Sequence, residues 1–235
     1  MASIKGLHAK LIKDHFYLAL KKKGYVFFDN NKKYNLNIIG VRSGAHDAEK
    51  FDDLMTIIYR NENLEWEIKS YQITTDPGPN ILRKPINKKG TAILVPDQYR
   101  STWKVGPHGK KRYTALIQRL GKVKVYRDND KDRKLEMEEK TIDEGYFGIN
   151  IHKHSSSYER DLVRGSSAGC QVFKITSDFY EFLELCQKSA SLFKNSFTYT
   201  LLEEKDLDAN WVDRAVGTRI HYLDRKASDP WIQIK

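Results

Sequence analysis

Apolar residues recur along this chain at two different periods. Between residues 8 and 23, Leu11, Ile12, Phe16, Leu18, Ala19 and Leu20 follow a helical spacing that ends in a lysine run and Gly24. Positive charge in a last turn and glycine just beyond it are stop signals, so an N-terminal helix is predicted. From Tyr25 onward the runs become short, β-branched and aromatic: Tyr25 to Phe28, Tyr34 to Arg42, Leu54 to Arg60, Leu64 to Thr74 and Thr91 to Val95. Further runs follow at 122–127, 146–152, 170–174 and Phe197 to Leu202. Asn, Asp, Gly and Pro separate them, which predicts strands, with Asn61-Glu62-Asn63 as a hairpin turn. A helical pattern returns at about 177–193, opened by Thr176 or Ser177 as N-cap with Asp178 and Glu181 in the first turn.

These elements describe a β-rich α+β chain with few helices and a mixed or barrel-like sheet. No Pro/Gly-rich linker divides it. The expected organisation is a helix over 1–24, one catalytic-size domain over 25–205, and a C-terminal extension over 206–235 that carries Trp211 and Trp231. Internal repeats and low-complexity tracts are absent from the sequence.

Composition narrows the classes. A chain of 235 residues with 40% hydrophobic content supports a sizeable core. Two cysteines make no disulfide framework, and the seven histidines show no zinc-ligand spacing with them, so neither a metal nor another cofactor is expected. Cys186 lies on the apolar side of the predicted C-terminal helix and reads as core. No apolar run is long enough for a secretory leader or a membrane span, so synthesis in a cytoplasm and no membrane partner are expected. The net charge of +10 favours an anionic partner, either nucleic acid or an anionic cell-wall polymer, but no base-reading or RNA-binding motif accompanies it. Asp128, Asp130, Asp132, Glu136 and Glu139 have the spacing of a calcium loop, with Arg133 where the sharp turn needs glycine. A solvated acidic loop is the expected reading.

The candidate chemistry lies in Gly148-Ile-Asn-Ile-His152 and, eighteen positions after the histidine, in Ser167-Ala168-Gly169-Cys170. A thiol becomes a nucleophile when a base takes its proton and local donors hold the oxyanion that forms. His152 closes an apolar, strand-like run and is the candidate base; His154 competes with it. Gly169 lets the chain turn beside Cys170, and N–H groups there are candidate oxyanion donors. His108, in the turn Gly106-Pro107-His108-Gly109, reads more readily as an exposed loop residue than as part of a substrate cleft.

Ile151-His152 followed by Ser167-Ala168-Gly169-Cys170-Gln171-Val172 resembles the catalytic motif of the L,D-transpeptidase (YkuD-like) family, in its divergent bacteriophage versions. Ile73-Thr74-Thr75-Asp76-Pro77-Gly78 is loosely similar to that family's Thr-Pro-x-Gly turn. The resemblance is tight over about 30 residues. It implies a β-rich, sandwich-like catalytic fold, Cys170 as nucleophile, His152 as base, Ser167 as a site-shaping residue and Gly169 as a backbone donor. His154, His108 and Arg164 become candidates to bind substrate. The implied substrate is the peptidoglycan stem peptide, the implied reaction hydrolysis or transpeptidation beside a D-amino acid, and the implied setting a phage lysin or virion component among other virion proteins. Three positions depart from the family: Lys153 stands for a glycine, Ala168 for a second histidine and Val172 for an arginine. Arg160 and Arg164 are the candidates to replace that arginine. The alternative is a virion structural or wall-binding protein that keeps the fold without turnover. Nucleic-acid binding ranks last.

Overall fold

Three consecutive apolar runs form the first antiparallel ribbon: β1 (Asn37–Arg42), β2 (Asp53–Arg60) and β3 (Trp66–Thr74). β2 is buried at every position but its last, because its two faces serve two cores. Met55, Ile57 and Tyr59 belong to the main core, whereas Leu54 and Ile58 belong to a second cluster under the N-terminal helix. Strands covered on both sides lose the alternation that marks a half-exposed sheet. The structure, a computed structural model, describes residues 4–109, 113–154 and 161–207.

The remaining strands are β4 (Thr91–Leu94), β5 (Gln98–His108), β6 (Tyr113–Gln118), β7 (Val123–Asp128), β8 (Asp143–Gly145), β9 (Ile151–Lys153), β10 (Gln171–Phe173) and β11 (Phe197–Glu203). Eight of them close into a barrel in the order β1-β11-β5-β6-β9-β10-β3-β2. Only β1 with β11 and β9 with β10 run parallel. A separate three-stranded sheet, β4-β7-β8, adds Ala92, Leu94, Val123 and Val125 to the main core. The architecture is therefore β-rich α+β with a large mixed sheet, and that sheet closes into a barrel, the barrel-like arrangement the strand pattern allowed, rather than the sandwich-like fold the resemblance implies. Closure leaves no unpaired edge along that sheet.

Three helices complete it. α1 (Ile4–Lys22) sets Phe16, Ala19 and Leu20 against Ile39, Val41, Leu54, Ile58, Ile68 and Leu202 on the outside of the barrel. The short α2 (Pro79–Arg83) follows β3. α3 (Thr176–Leu192) turns Phe179, Phe182, Leu183, Leu185 and Cys186 into the main core, so Cys186 is the core residue its spacing predicts. No helix among the described residues is long and apolar enough to cross a membrane. Of the 206–235 extension, only Asp206 and Leu207 are described, and Leu207 packs into the cluster under α1.

One predicted strand, 25–28, and the first part of another, 146–152, are not strands. At Tyr25 to Phe28 the backbone is held by side-chain amides instead of a neighbouring strand. Gln98 takes the N–H and C=O of Val26, and Asn37 those of Phe28. At 146–150 Gly148 adopts φ +72°, and the N–H groups of Phe147 and Ile149 both donate to Gln118 Oε1. A buried glutamine thus replaces a strand partner and shapes the approach to His152.

Candidate active site

The parallel pairing of β9 with β10 brings the two motif segments together, with Val172 opposite His152 and Gln171 opposite Ile151. Side chains alternate across a strand. Gln171 and Phe173 therefore face one way; Gln171 reaches Tyr199 and Phe173 lies in the main core. Val172 faces the other way, in a small cluster with Phe51 and Val163 against which Cys170 packs.

The loop before β10 is rigidly made. Ser167 is fully buried; its Oγ accepts from Gly169 N–H at 3.1 Å and donates to the Cys170 carbonyl at 2.8 Å. Gly169 has φ +109°, and a Cβ there would stand 2.2 Å from the Ala92 carbonyl oxygen, so only glycine fits. Ser167 thus holds the turn that leads into Cys170. The Gly169 N–H is already used by Ser167, which removes it from the expected oxyanion donors. The 73–78 turn lies directly against this loop: Gly78 N–H donates to the Ser167 carbonyl, Asn80 N–H to that of Arg164, and Gln171 Nε2 bonds the carbonyls of Thr75 and Gly169.

Cys170 is a free thiol whose Sγ accepts from Asn150 N–H at 3.4 Å and donates to the Gly148 carbonyl at 3.5 Å. Among the described residues no histidine bonds it. Although the residue keeps partial exposure, its sulfur is enclosed, and burial pushes the thiol pKa up to about 11. The resting thiol is therefore protonated, not pre-ionised.

The histidine tautomers follow from their partners. His152 Nδ1 lies 2.8 Å from the Lys153 carbonyl, which only accepts, so Nδ1 carries the proton and Nε2 holds the lone pair. Tyr113 Oη stands 3.3 Å from the same Nδ1. Burial, then the His108 ring, lowers the His152 pKa to about 4. His108 stacks on His152 with centroids 4.3 Å apart and planes at 22°. Gln118 N–H donates to Asn150 Oδ1, which fixes that amide so that its Nδ2 donates to His108 Nδ1 at 2.9 Å. His108 is therefore neutral with its proton on Nε2, and burial lowers its pKa. It ends β5 half-buried against His152, not in an exposed turn.

The His154 ring packs edge-on against Phe51, a member of the small cluster against which Cys170 also packs. Arg164 is exposed, with φ +51°, and only its backbone touches the 78–80 turn. Arg160 lies outside the described residues. In the acidic loop, Asp130 and Asp132 accept backbone N–H groups two residues on, and buried Asp128 accepts from Glu136 N–H. Among the described residues no group of carboxylates, His or Cys converges as a metal site.

The sequence reading did not anticipate a buried polar centre behind the Cys170 loop. Arg42 is fully buried, with Nε 2.9 Å from Asp76 Oδ1 and 3.0 Å from Thr75 Oγ1. The Arg42–Asp76 contact is an ion pair by distance without a well-aligned hydrogen bond. Asp53 accepts from the N–H groups of Ser43 and Thr75. Burial and then Asp76 raise the Asp53 pKa. Tyr199 and Gln171 connect this centre to Gly169. The charged positions Arg42 and Asp53 sit at strand ends, where sequence alone reads them as boundaries.

The fold is a closed barrel in which His152, stacked on His108, and the Cys170 thiol lie on the two paired segments. No family model, no curated protein and no solved structure matches the chain.

Proposed function

We propose that the protein is a cysteine-dependent enzyme acting on peptidoglycan stem peptides, a divergent L,D-transpeptidase-like hydrolase or transpeptidase of phage type. One observation supports the reading: the pairing of β9 with β10, which joins the strand of His152, whose Nδ1–H is locked to a carbonyl, to the strand that directly follows Cys170 and its glycine turn. An imidazole held in that tautomer is a ready proton acceptor at neutral pH. The family resemblance supplies the substrate class.

In this reading substrate binding draws Sγ off the Gly148 carbonyl. The thiol proton passes to His152 Nε2 as sulfur attacks the carbonyl carbon beside a D-amino acid. The C–N bond breaks, the amine leaves with the proton from His152, and a thioester remains. Water or a second amine, deprotonated by His152, then releases Cys170 as the thiol. The Asn150 N–H, already directed at sulfur, is the backbone donor nearest the reacting centre. The +10 charge holds the enzyme on an anionic wall polymer.

Incubation of purified cell walls with the wild-type protein and with Cys170→Ala tests this. Soluble or exchanged muropeptides are expected from the wild type alone. Exchanging His152 for Gln lowers the rate by about 10²–10⁴. A wild type that leaves walls unchanged overturns the reading. The second reading, a wall-binding or virion structural protein without turnover, is favoured by the protonated thiol and the absence of a Cys170–histidine bond among the described residues.

A further inference from the structure

Lys153 is a buried cation without an anion. It is 7% exposed, and among the described residues no carboxylate pairs with it. Its Nζ donates to the Tyr180 hydroxyl at 2.8 Å and lies 4.9 Å and 5.2 Å from the ring centroids of Tyr180 and Tyr113. Aromatic faces attract an ammonium but supply no negative charge, and one hydroxyl satisfies only one of its three N–H donors. The contrast with Arg42, buried against Asp76, is direct. A cation desolvated without a partner is costly, and such a group is retained where something negative comes to it.

The position is specific. Lys153 follows His152 in the chain, and the Tyr113 ring beneath its ammonium carries the hydroxyl 3.3 Å from His152 Nδ1. Tyr180, whose hydroxyl accepts from the ammonium, is itself half exposed. Neither the barrel core nor the Cys170 loop uses this charge.

We propose that Lys153, framed by Tyr113 and Tyr180, anchors a free carboxylate of the peptide whose carbonyl Cys170 attacks. The proposal rests on the reading of Cys170 as nucleophile, and it adds the substrate feature: a peptide acid, with its amide a poor substitute. The carboxylate takes the Nζ donors that Tyr180 leaves unused and fixes the scissile carbonyl relative to His152.

The test uses the full-length Cys170→Ala protein and two small probes, N-acetyl-D-alanine and its amide, with binding followed through the aromatic NMR signals of Tyr113 and Tyr180. The acid is expected to bind about tenfold more tightly than the amide. Lys153→Met abolishes that preference and Lys153→Arg retains part of it. Equal affinity for acid and amide, binding of neither, or a preference unchanged in Lys153→Met overturns the proposal. The acid-to-amide comparison in the parent protein stands even where a variant fails to fold. An acid preference without wall turnover removes the catalytic reading alone; Cys170-dependent turnover without a preference removes this proposal alone.

Discussion

Two buried polar clusters adjoin the paired strands β9 and β10, one reached through Gln171 and one on β9 itself, and they are organised in opposite ways. In the Arg42–Asp53–Asp76 centre the fold supplies both signs of charge and directs backbone N–H groups at the carboxylates. In the His108–His152–Lys153 cluster it supplies imidazoles and an ammonium, with only carbonyls, an amide and tyrosines as partners. The first cluster is complete within the chain. The second leaves a lone pair on His152 and donors on Lys153 unused. Burial alone therefore does not mark a site; what the fold leaves open marks it.

That contrast predicts different responses to substitution. Arg42→Met leaves Asp76 buried without its cation and should destabilise the protein by about 3–5 kcal/mol in chemical denaturation. A loss under about 1 kcal/mol would break the distinction from the other side, because the centre would then hold nothing together.

A second test uses acid. Burial, and then the neighbouring His108, lowers the His152 pKa from its ordinary 6.5 to about 4. The folded state binds this proton less readily than the unfolded chain. Its contribution to stability is therefore full above pH 6.5 and is lost as pH falls from 6.5 through 4. At 1.36 kcal/mol per unit the loss is about 3 kcal/mol. His152→Gln should flatten that part of the stability profile; an unchanged profile would place the histidine in water.

Gly169→Ala comes next, at about 2 kcal/mol, because alanine is strained at φ +109° and its Cβ meets the Ala92 carbonyl. Thermal denaturation reads the loss, and alkylation of Cys170 should quicken as the loop opens. The smallest effect belongs to Lys153→Met, which removes a charge no carboxylate balances and should change stability by less than about 1 kcal/mol. A large loss there would make Lys153 structural, like Arg42.

Much of the fold was legible because its signals are local. Both long helices follow from apolar spacing, and most core strands from β-branched runs. β5 and β6 were not, since Gly106 and Pro107 read as a turn yet lie within β5, paired with Ala115 and Thr114. The predicted strand at 25–28 and the first five residues of the one at 146–152 fail for a different reason. Their backbone groups are satisfied by Gln98, Asn37 and Gln118, and no periodicity reports which side chain will do that. In the site, Ser167, Gly169, Cys170 and His152 are legible as a motif of turn, thiol and imidazole. Arg42, Tyr113 and Tyr180 are not, because the fold brings them in from β1, β6 and α3, and Asn150, though inside the motif, shows its role only once His108 and Cys170 are placed against it.

The central claim is that Cys170 is a nucleophile served by His152, and intact-mass spectrometry tests it most directly. Wild-type protein incubated with a peptidoglycan stem peptide should gain the mass of the acyl fragment, and peptide mapping should place it on Cys170 and not on Cys186. His152→Gln should show no adduct. Absence of any adduct while walls are still cleaved, or an adduct formed equally without His152, would contradict the account.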